Sequence, residues 1–177
     1  MDKIAKAVLD IQMTSGRNDK LTKLEQAATV PGFKDVMRFI YNPYIRTGIA
    51  SRKLMKGMHD DKDEDITVHD MIEYFTNNQT GSDASVNIAW KFINSQDTPE
   101  ATDLAFAMVT KNLKIGITET SLNKVYGDDF IPKLGCMLGV PYPENKHKVK
   151  GPYIATEKLD GIRRILVKEK GKCRLYS

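Results

Sequence analysis

The residues most clearly suited to chemistry lie near the C-terminal end of the chain. Lys158, Asp160, Gly161 and Arg163 form a Lys-x-Asp-Gly-x-Arg pattern. A lysine amine attacks phosphorus only when it is neutral, and its reference pKa is about 10.4. Partial burial and a neighbouring cation, which could be Arg163, Arg164 or a bound metal, would lower that pKa and release the lone pair. The pattern therefore predicts nucleotidyl transfer through Lys158.

A charged β-turn is the alternative explanation of the same residues. Asp160 and Gly161 form a common turn dipeptide. They lie between residues 153–156 and 162–167, which both have strand-like composition. Four specified residues match by chance in a chain of this length about once in a thousand. The flanking predicted strands favour the nucleophile, because they would hold Lys158 at the end of a strand.

Residues 155–163, Ala-Thr-Glu-Lys-Leu-Asp-Gly-Ile-Arg, resemble motif I of the ATP-dependent DNA ligases. RNA ligases and mRNA capping enzymes share this motif. The resemblance implies that Lys158 takes AMP from ATP, with the aid of Mg²⁺, and releases pyrophosphate. AMP would then pass to the 5′-phosphate of a nick in double-stranded DNA. The resemblance also assigns nucleotide contacts to Thr156, Glu157 and Arg163.

The part of the chain before this motif has the spacing of apolar residues that is typical of helices. Predicted helices lie at residues 2–13, around 21–28, and at 33–40, 68–75 and 84–93. Thr98 and Pro99 form the clearest helix start, because threonine caps well and proline needs no donor at the first helical position. This helix is expected to run toward Leu113, with Gly116 as its C-terminal cap.

The end of that helix carries a second resemblance. Residues 111–119 resemble the Leu-Arg-Ile-Gly-apolar stretch in the N-terminal DNA-binding domain of ATP-dependent ligases, in its compact phage-type form. A tight turn would lead into a helix starting near Thr118, whose amides suit a DNA phosphate. An ordinary capped helix pair with solvated lysines is the alternative. The predicted DNA contacts are Lys111, Lys114, Gly116, Thr118, Asn123 and Lys124.

We therefore predict a mainly α fold in two parts. A helical DNA-binding domain is expected at residues 1–135, a linker at 136–152, and the first β-strands of an α+β nucleotidyltransferase domain at 153–177. The family's metal-binding and α-phosphate-binding motifs would lie beyond Ser177. We thus expect a truncated ligase whose 177 residues bind DNA but do not seal nicks or adenylate efficiently.

Composition sets only weak limits. An apolar fraction of 41% argues against a disordered chain, and a net charge of +4 is weak support for nucleic acid. Cys136 and Cys173 are far apart, and the histidines show no zinc-ligand spacing. No secretory leader or transmembrane-length apolar run is present. We expect a cytoplasmic monomer with ATP and nicked duplex DNA as partners, and no membrane partner.

Two other functions remain open at this level. The chain is alternatively a non-catalytic module, from a split or truncated ligase gene, that only binds DNA or a partner. It is also compatible with an RNA ligase or a capping-type nucleotidyltransferase, which share motif I. The long helical N-terminal region argues against the second of these.

Overall fold

A computed structural model describes residues 1–58, 65–133, 141–154, 157, 161, 164–169 and 171–176. The fold is mainly α, as predicted. The helices are α1 (Asp2–Met13), α2 (Arg17–Ala27), α3 (Phe33–Tyr41), α4 (Ser51–Lys56), α5 (Val68–Asn77), α6 (Asp83–Asn94), α7 (Pro99–Thr110), α8 (Glu119–Tyr126) and α9 (Tyr142–Asn145), followed by a 3₁₀ turn (Lys146–Lys148). The strands are β1 (Ile165–Glu169) and β2 (Lys172–Tyr176).

The chain divides into two compact units, Met1–Lys133 and Leu134–Ser177. We call them the helical unit and the C-terminal unit. Helix α7 is central to the helical unit, because α1, α3 and α6 all pack against it. Its buried positions include Leu104, Met108 and Val109. Burial of such side chains contributes roughly 1.5–3 kcal/mol each, so the apolar stripe of α7 explains its place in the core.

Helix starts follow the local chemistry that the sequence predicts. The Thr98 hydroxyl accepts a hydrogen bond from the Ala101 amide at 3.3 Å, and Pro99 occupies the first helical position. Both parts of that prediction are confirmed. At α5 the capping box is reciprocal, with Thr67 and Asp70 each accepting from the other's backbone amide. The Thr67 hydroxyl also donates to the Asp70 carboxylate at 2.6 Å, and this bond, followed by the one from the Thr67 amide, lowers the pKa of Asp70.

The predicted end of α7 is wrong. The helix ends at Thr110, and Lys111, with a φ of 51°, forms the cap in the left-handed conformation. Gly116, with a φ of 70°, forms a separate turn further along. A non-glycine residue in this conformation normally costs about 1 kcal/mol or more, so tertiary contacts must hold Lys111 in place.

The C-terminal unit contains an antiparallel hairpin of β1 and β2. Ile165 pairs with Tyr176 and Leu166 with Leu175, and Gly171 takes a φ of 77° in the turn. The predicted strand at 162–167 corresponds to β1, which starts at Ile165. Residues 155–156 and 162–163 lie outside the described residues. The described part of the other predicted strand, residues 153–154, is exposed and has no strand conformation.

The predicted linker contains α9 and the 3₁₀ turn, and the 3₁₀ turn consists of the basic residues Lys146, His147 and Lys148. Lys148 donates to the Asn145 side chain at 2.8 Å. Residues 134–140, with Cys136, lie outside the described part of the chain. None of the described helices is long and apolar enough to cross a membrane.

Candidate nucleic-acid interface

The segment between α7 and α8, residues 111–118, contains most of the predicted DNA contacts. We call it the α7–α8 connection. It ends at Thr118, whose hydroxyl accepts from the Ser121 amide at 3.4 Å and so caps α8. The predicted start of this helix is confirmed. The buried Ile115 side chain, 1% exposed, anchors the middle of the connection in the core of the helical unit.

Side chains from other helices satisfy two backbone carbonyls of the connection. The ammonium of Lys20, in α2, donates to the Ile115 carbonyl at 2.5 Å. The hydroxyl of Tyr41, in α3, donates to the Ile117 carbonyl at 3.5 Å, which is a long hydrogen bond. The carbonyls of Ile115 and Ile117 thus point toward α2 and α3.

The backbone amides from residue 113 into the first turn of α8 have no acceptor among the described residues. From residue 113 to residue 120, no backbone N–H donates a hydrogen bond to any described residue. The amides of Glu119 and Thr120 lack acceptors because the first turn of a helix has none. Gly116 and Thr118 are exposed, so solvent or an anion reaches this stretch. Satisfied acceptors next to unsatisfied donors make a segment that is suited to anions.

Two of the predicted lysines have their side chains in solvent, one within this run and one in the last turn of α8. Lys114 and Lys124 are both exposed. Neither forms a salt bridge with a carboxylate in the part of the chain that the structure describes. Their positive charge therefore adds to the donor character of the connection, as the predicted DNA contact requires.

Lys111 has a different environment from the one that its predicted DNA contact suggests. Its ammonium donates to the carbonyls of Asn42, at 2.6 Å, and Ile45, at 2.5 Å. It also lies 5.2 Å from the ring centre of Phe39. Burial, followed by the charge of Arg46, lowers the pKa of Lys111 to about 8. The geometry favours an internal role, and the predicted DNA contact of Lys111 stays a prediction.

Asn123 is also engaged within the helical unit. It is only 5% exposed. Its amide group donates to the carbonyls of Asp128, at 2.9 Å, and Ile131, at 3.1 Å, while its carbonyl oxygen accepts from the Ile131 amide at 2.7 Å. Asn123 therefore holds the segment that follows α8. This geometry favours a structural role, and its predicted contact with DNA is untested.

A cavity of about 470 Å³ lies beside the connection, lined by residues that include Tyr41, Arg46, Lys111 and Glu119. Burial, and then the negative charge of Glu119, raises the pKa of Tyr41 to about 12. The Glu119 carboxylate thus acts on the cavity and Tyr41. The cavity carries charges of both signs, so it does not by itself favour an anion.

Lys20 is a site residue that sequence reasoning missed. It lies 95 residues before its acceptor, Ile115. Tyr41 and its acceptor Ile117 are 76 residues apart. No local spacing connects residues at such separations, and only the packing of α2 and α3 against the connection brings them together.

The predicted nucleotide site is mostly outside the described residues. This holds for Lys158, Thr156 and Arg163. Glu157 and Gly161 are described, and both are exposed. Among the described residues, no group of three or more His, Cys, Asp or Glu side chains is arranged to hold a metal ion. The chemistry of motif I therefore rests on the sequence.

Comparison with known proteins adds no relative. No protein-family model matches the chain, and no curated protein matches it significantly. The resemblance to DNA ligases thus depends on the two sequence motifs.

Proposed function

We propose that the helical unit binds duplex DNA through its phosphate backbone at the α7–α8 connection. The observation that carries this proposal is the run of backbone amides at residues 113–120 that have no acceptors among the described residues, with Lys114 exposed in this run and Lys124 exposed on α8. Phosphate oxygens are charged acceptors, and backbone amides, helix N-termini and lysines are their usual partners. The donors are spread along a segment in which Lys114, Gly116 and Thr118 are exposed, which suits a polymer of phosphates better than one enclosed small anion.

We infer that the chain acts in ATP-dependent DNA ligation, with Lys158 as the nucleophile. The support is motif I, together with the DNA-binding pattern before it. The neutral Lys158 amine would attack the α-phosphorus of ATP, forming a P–N bond, losing a proton to solvent and expelling pyrophosphate. AMP would then move to the 5′-phosphate at a nick, and the 3′-hydroxyl would displace it.

In this proposal Thr156, Glu157 and Arg163 hold the nucleotide. A planar guanidinium such as that of Arg163 suits ribose hydroxyls and phosphate oxygens. Mg²⁺ would neutralise charge on the ATP phosphates. The described residues hold no cluster that could bind this ion.

The DNA-binding proposal is tested by titrating nicked duplex DNA at several salt concentrations. Replacing Lys114 and Lys124 together by glutamine should reduce the slope of log affinity against log salt by about 1.8, since each phosphate contact contributes about 0.9. Lys3→Gln is the matched control. Lys3 is exposed on the first turn of α1, next to the start of α7, where Thr98 donates to Asp2. An unchanged slope in the double variant would contradict the proposal.

The chemical proposal needs a separate measurement. Full-length protein is incubated with ATP labelled at the α-phosphate, and the covalent adduct is counted after denaturation. Lys158→Ala should abolish the adduct, and Lys168→Ala should leave it unchanged. If Lys158→Ala formed the adduct at the wild-type level, Lys158 would not be the nucleophile.

A DNA-binding module without chemistry is the second candidate. It is favoured because the α7–α8 connection lies wholly in the helical unit, whereas motif I belongs to the other unit. Nick affinity that falls with salt, with no labelled adduct in the wild-type protein, would support this candidate. Preference for GTP, or for RNA ends over nicked duplex DNA, would instead favour an RNA ligase or capping-type enzyme.

A further inference from the structure

The Lys20 ammonium lies beside the turn at Gly116, in the space that a side chain at residue 116 would occupy. A Cβ atom built on Gly116 would be 2.7 Å from the Lys20 Nζ and 3.7 Å from its Cε. Cβ atoms essentially never approach other atoms within 3.0 Å. Gly116 also has a φ of +70°, which disfavours any side chain. The backbone angle thus favours glycine at this position, and any side chain there would have to displace the flexible end of Lys20.

The helix that supplies this ammonium is firmly attached to the helical unit. Leu24 and Ala27 of α2 are buried. The Tyr126 hydroxyl of α8 donates to the Leu24 carbonyl at 2.5 Å. Because α2 packs against both α1 and α8, Lys20 is held at the turn by the core rather than by a mobile loop.

The Lys20 ammonium has donors to spare. An ammonium carries three N–H donors, and among the described residues only the Ile115 carbonyl accepts one of them. No carboxylate pairs with Lys20 among the described residues. Its side chain is partly buried, whereas Gly116 is exposed. A positive charge therefore reaches the surface at a point where residue 116 itself has no side chain.

We infer that Lys20 is a further phosphate-binding residue of the DNA site, contacting the backbone at the Gly116 turn. This assignment rests on the proposed function. The bond to Ile115 fixes the turn with its carbonyl toward α2, and the remaining N–H groups take a phosphate oxygen beside the unpaired amides. The Lys20 charge and the backbone amides of the connection then contact the same phosphate backbone, although Lys20 lies in a helix that is distant in sequence.

The salt dependence of binding separates this role from a purely structural one. Lys20→Gln keeps a neutral donor for the Ile115 carbonyl and removes the charge. Its slope of log affinity against log salt should be smaller than that of the wild type by about 0.9. Raising salt from about 50 to about 200 mM should thus weaken the wild type about 3.5-fold more than Lys20→Gln. Lys20→Arg should keep the wild-type slope, and Lys3→Gln is the control.

The possible outcomes separate the two proposals. If wild-type protein shows no salt-dependent binding to nicked duplex DNA, both the proposed function and the role of Lys20 fail. If the wild type binds and Lys20→Gln has weaker affinity with an unchanged slope, only the Lys20 assignment fails, because the lysine then acts through structure. Equal unfolding midpoints in urea for Lys20→Gln and Lys3→Gln would verify that the fold is intact.

A double-mutant cycle with Gly116→Ala gives an independent test. The added methyl group should displace the Lys20 ammonium, so Gly116→Ala should reduce the salt slope by nearly as much as Lys20→Gln. In a Lys20→Ala background there is no ammonium to displace, and Gly116→Ala should leave the slope unchanged. The backbone strain at Gly116 is present in both backgrounds and cancels. The same slope change in both backgrounds would overturn the assignment.

Discussion

The predicted DNA-binding residues separate into two groups with opposite environments. The inner side of the α7–α8 region contains Lys111 and Asn123, whose polar atoms bond to backbone groups of the helical unit. The outer side contains Lys114, Thr118 and Lys124, which are exposed. Both groups come from one short stretch with one resemblance. The difference shows that one motif combines residues that hold the backbone in place with residues that are exposed at the surface.

This comparison makes a general prediction about what each group affects. Substitutions on the inner side should lower the free energy of unfolding and leave the salt slope of DNA binding unchanged. Substitutions of charged residues on the outer side should do the reverse.

The largest expected effect is on Asn123. Asn123→Leu would leave the Asp128 and Ile131 carbonyls and the Ile131 amide without their side-chain partner. Unpaired buried groups cost about 1–3 kcal/mol each, partly relieved by relaxation, so we expect a loss of about 3 kcal/mol. Urea unfolding measures this loss. Asn112→Leu, at an exposed position, should change stability by less than about 0.5 kcal/mol. A similar effect of both substitutions would refute the inner-side role.

Lys111→Met should give the next largest loss of stability, about 2 kcal/mol, because two backbone carbonyls lose their donor. The loss is smaller than that of Asn123→Leu, since removing a partly buried charge recovers some desolvation energy. Lys114→Met is the control, and it should alter the salt slope of DNA binding but not the urea midpoint. If Lys111→Met instead lowered the slope by about 0.9 at unchanged stability, Lys111 would belong to the outer side.

The helix starts could be predicted from sequence because their causes are local. Thr98, Pro99 and Thr118 act within one turn, through capping and through the missing proline donor. The apolar stripe of α1 is equally local, and its predicted limits agree with the structure. Helix α4 was not predicted, because six residues offer too little periodicity for an apolar stripe to be recognised.

The end of α7 and the orientation of the lysines could not be predicted, because distant residues decide them. The left-handed conformation at Lys111 is held by carbonyls of Asn42 and Ile45, which are 69 and 66 residues away. Propensity alone favours glycine at such a cap, which explains the incorrect choice of Gly116. Gly116 instead forms a separate turn with a φ of 70°, where the Lys20 ammonium lies close to it. Spacing identified the stretch, whereas tertiary contacts determine what each lysine does.

Titration of Lys111 gives a smaller effect of known sign. Its pKa is lowered from 10.5 to about 8 in the folded state, so the unfolded chain binds more protons between those values. The free energy of unfolding should therefore rise with pH across this window, as the cost of the buried charge disappears. Urea unfolding at pH 7 and pH 9.5 measures this rise. The difference in free energy of unfolding between wild type and Lys111→Met should increase from pH 7 to pH 9.5.

Nearby groups set the limits of this experiment. The charge of Arg46 contributes to the lowered pKa of Lys111. Tyr41 and Tyr126 have pKa values raised to about 12, and their unfolded forms titrate near 10, so measurements should stop below that pH. The difference in free energy of unfolding between Lys114→Met and wild type should be the same at pH 7 and at pH 9.5. An equal rise with pH in Lys111→Met and wild type would contradict burial of this ammonium.

The smallest expected effect is on Thr118, which is neutral and lies on the outer side. Thr118→Ala removes the cap of α8 and should cost about 0.5–1 kcal/mol, at the lower end of cap losses because the bond to Ser121 is 3.4 Å long. Thr118→Ser keeps the hydroxyl and should be close to wild type. Fraying of the first turn should weaken DNA binding slightly, because the amides at the start of α8 are less well ordered. The salt slope should not change, since no charge is removed. A reduced slope in Thr118→Ala would mean that the cap also positions a lysine on the phosphate, and the outer side would then share the structural role of the inner side.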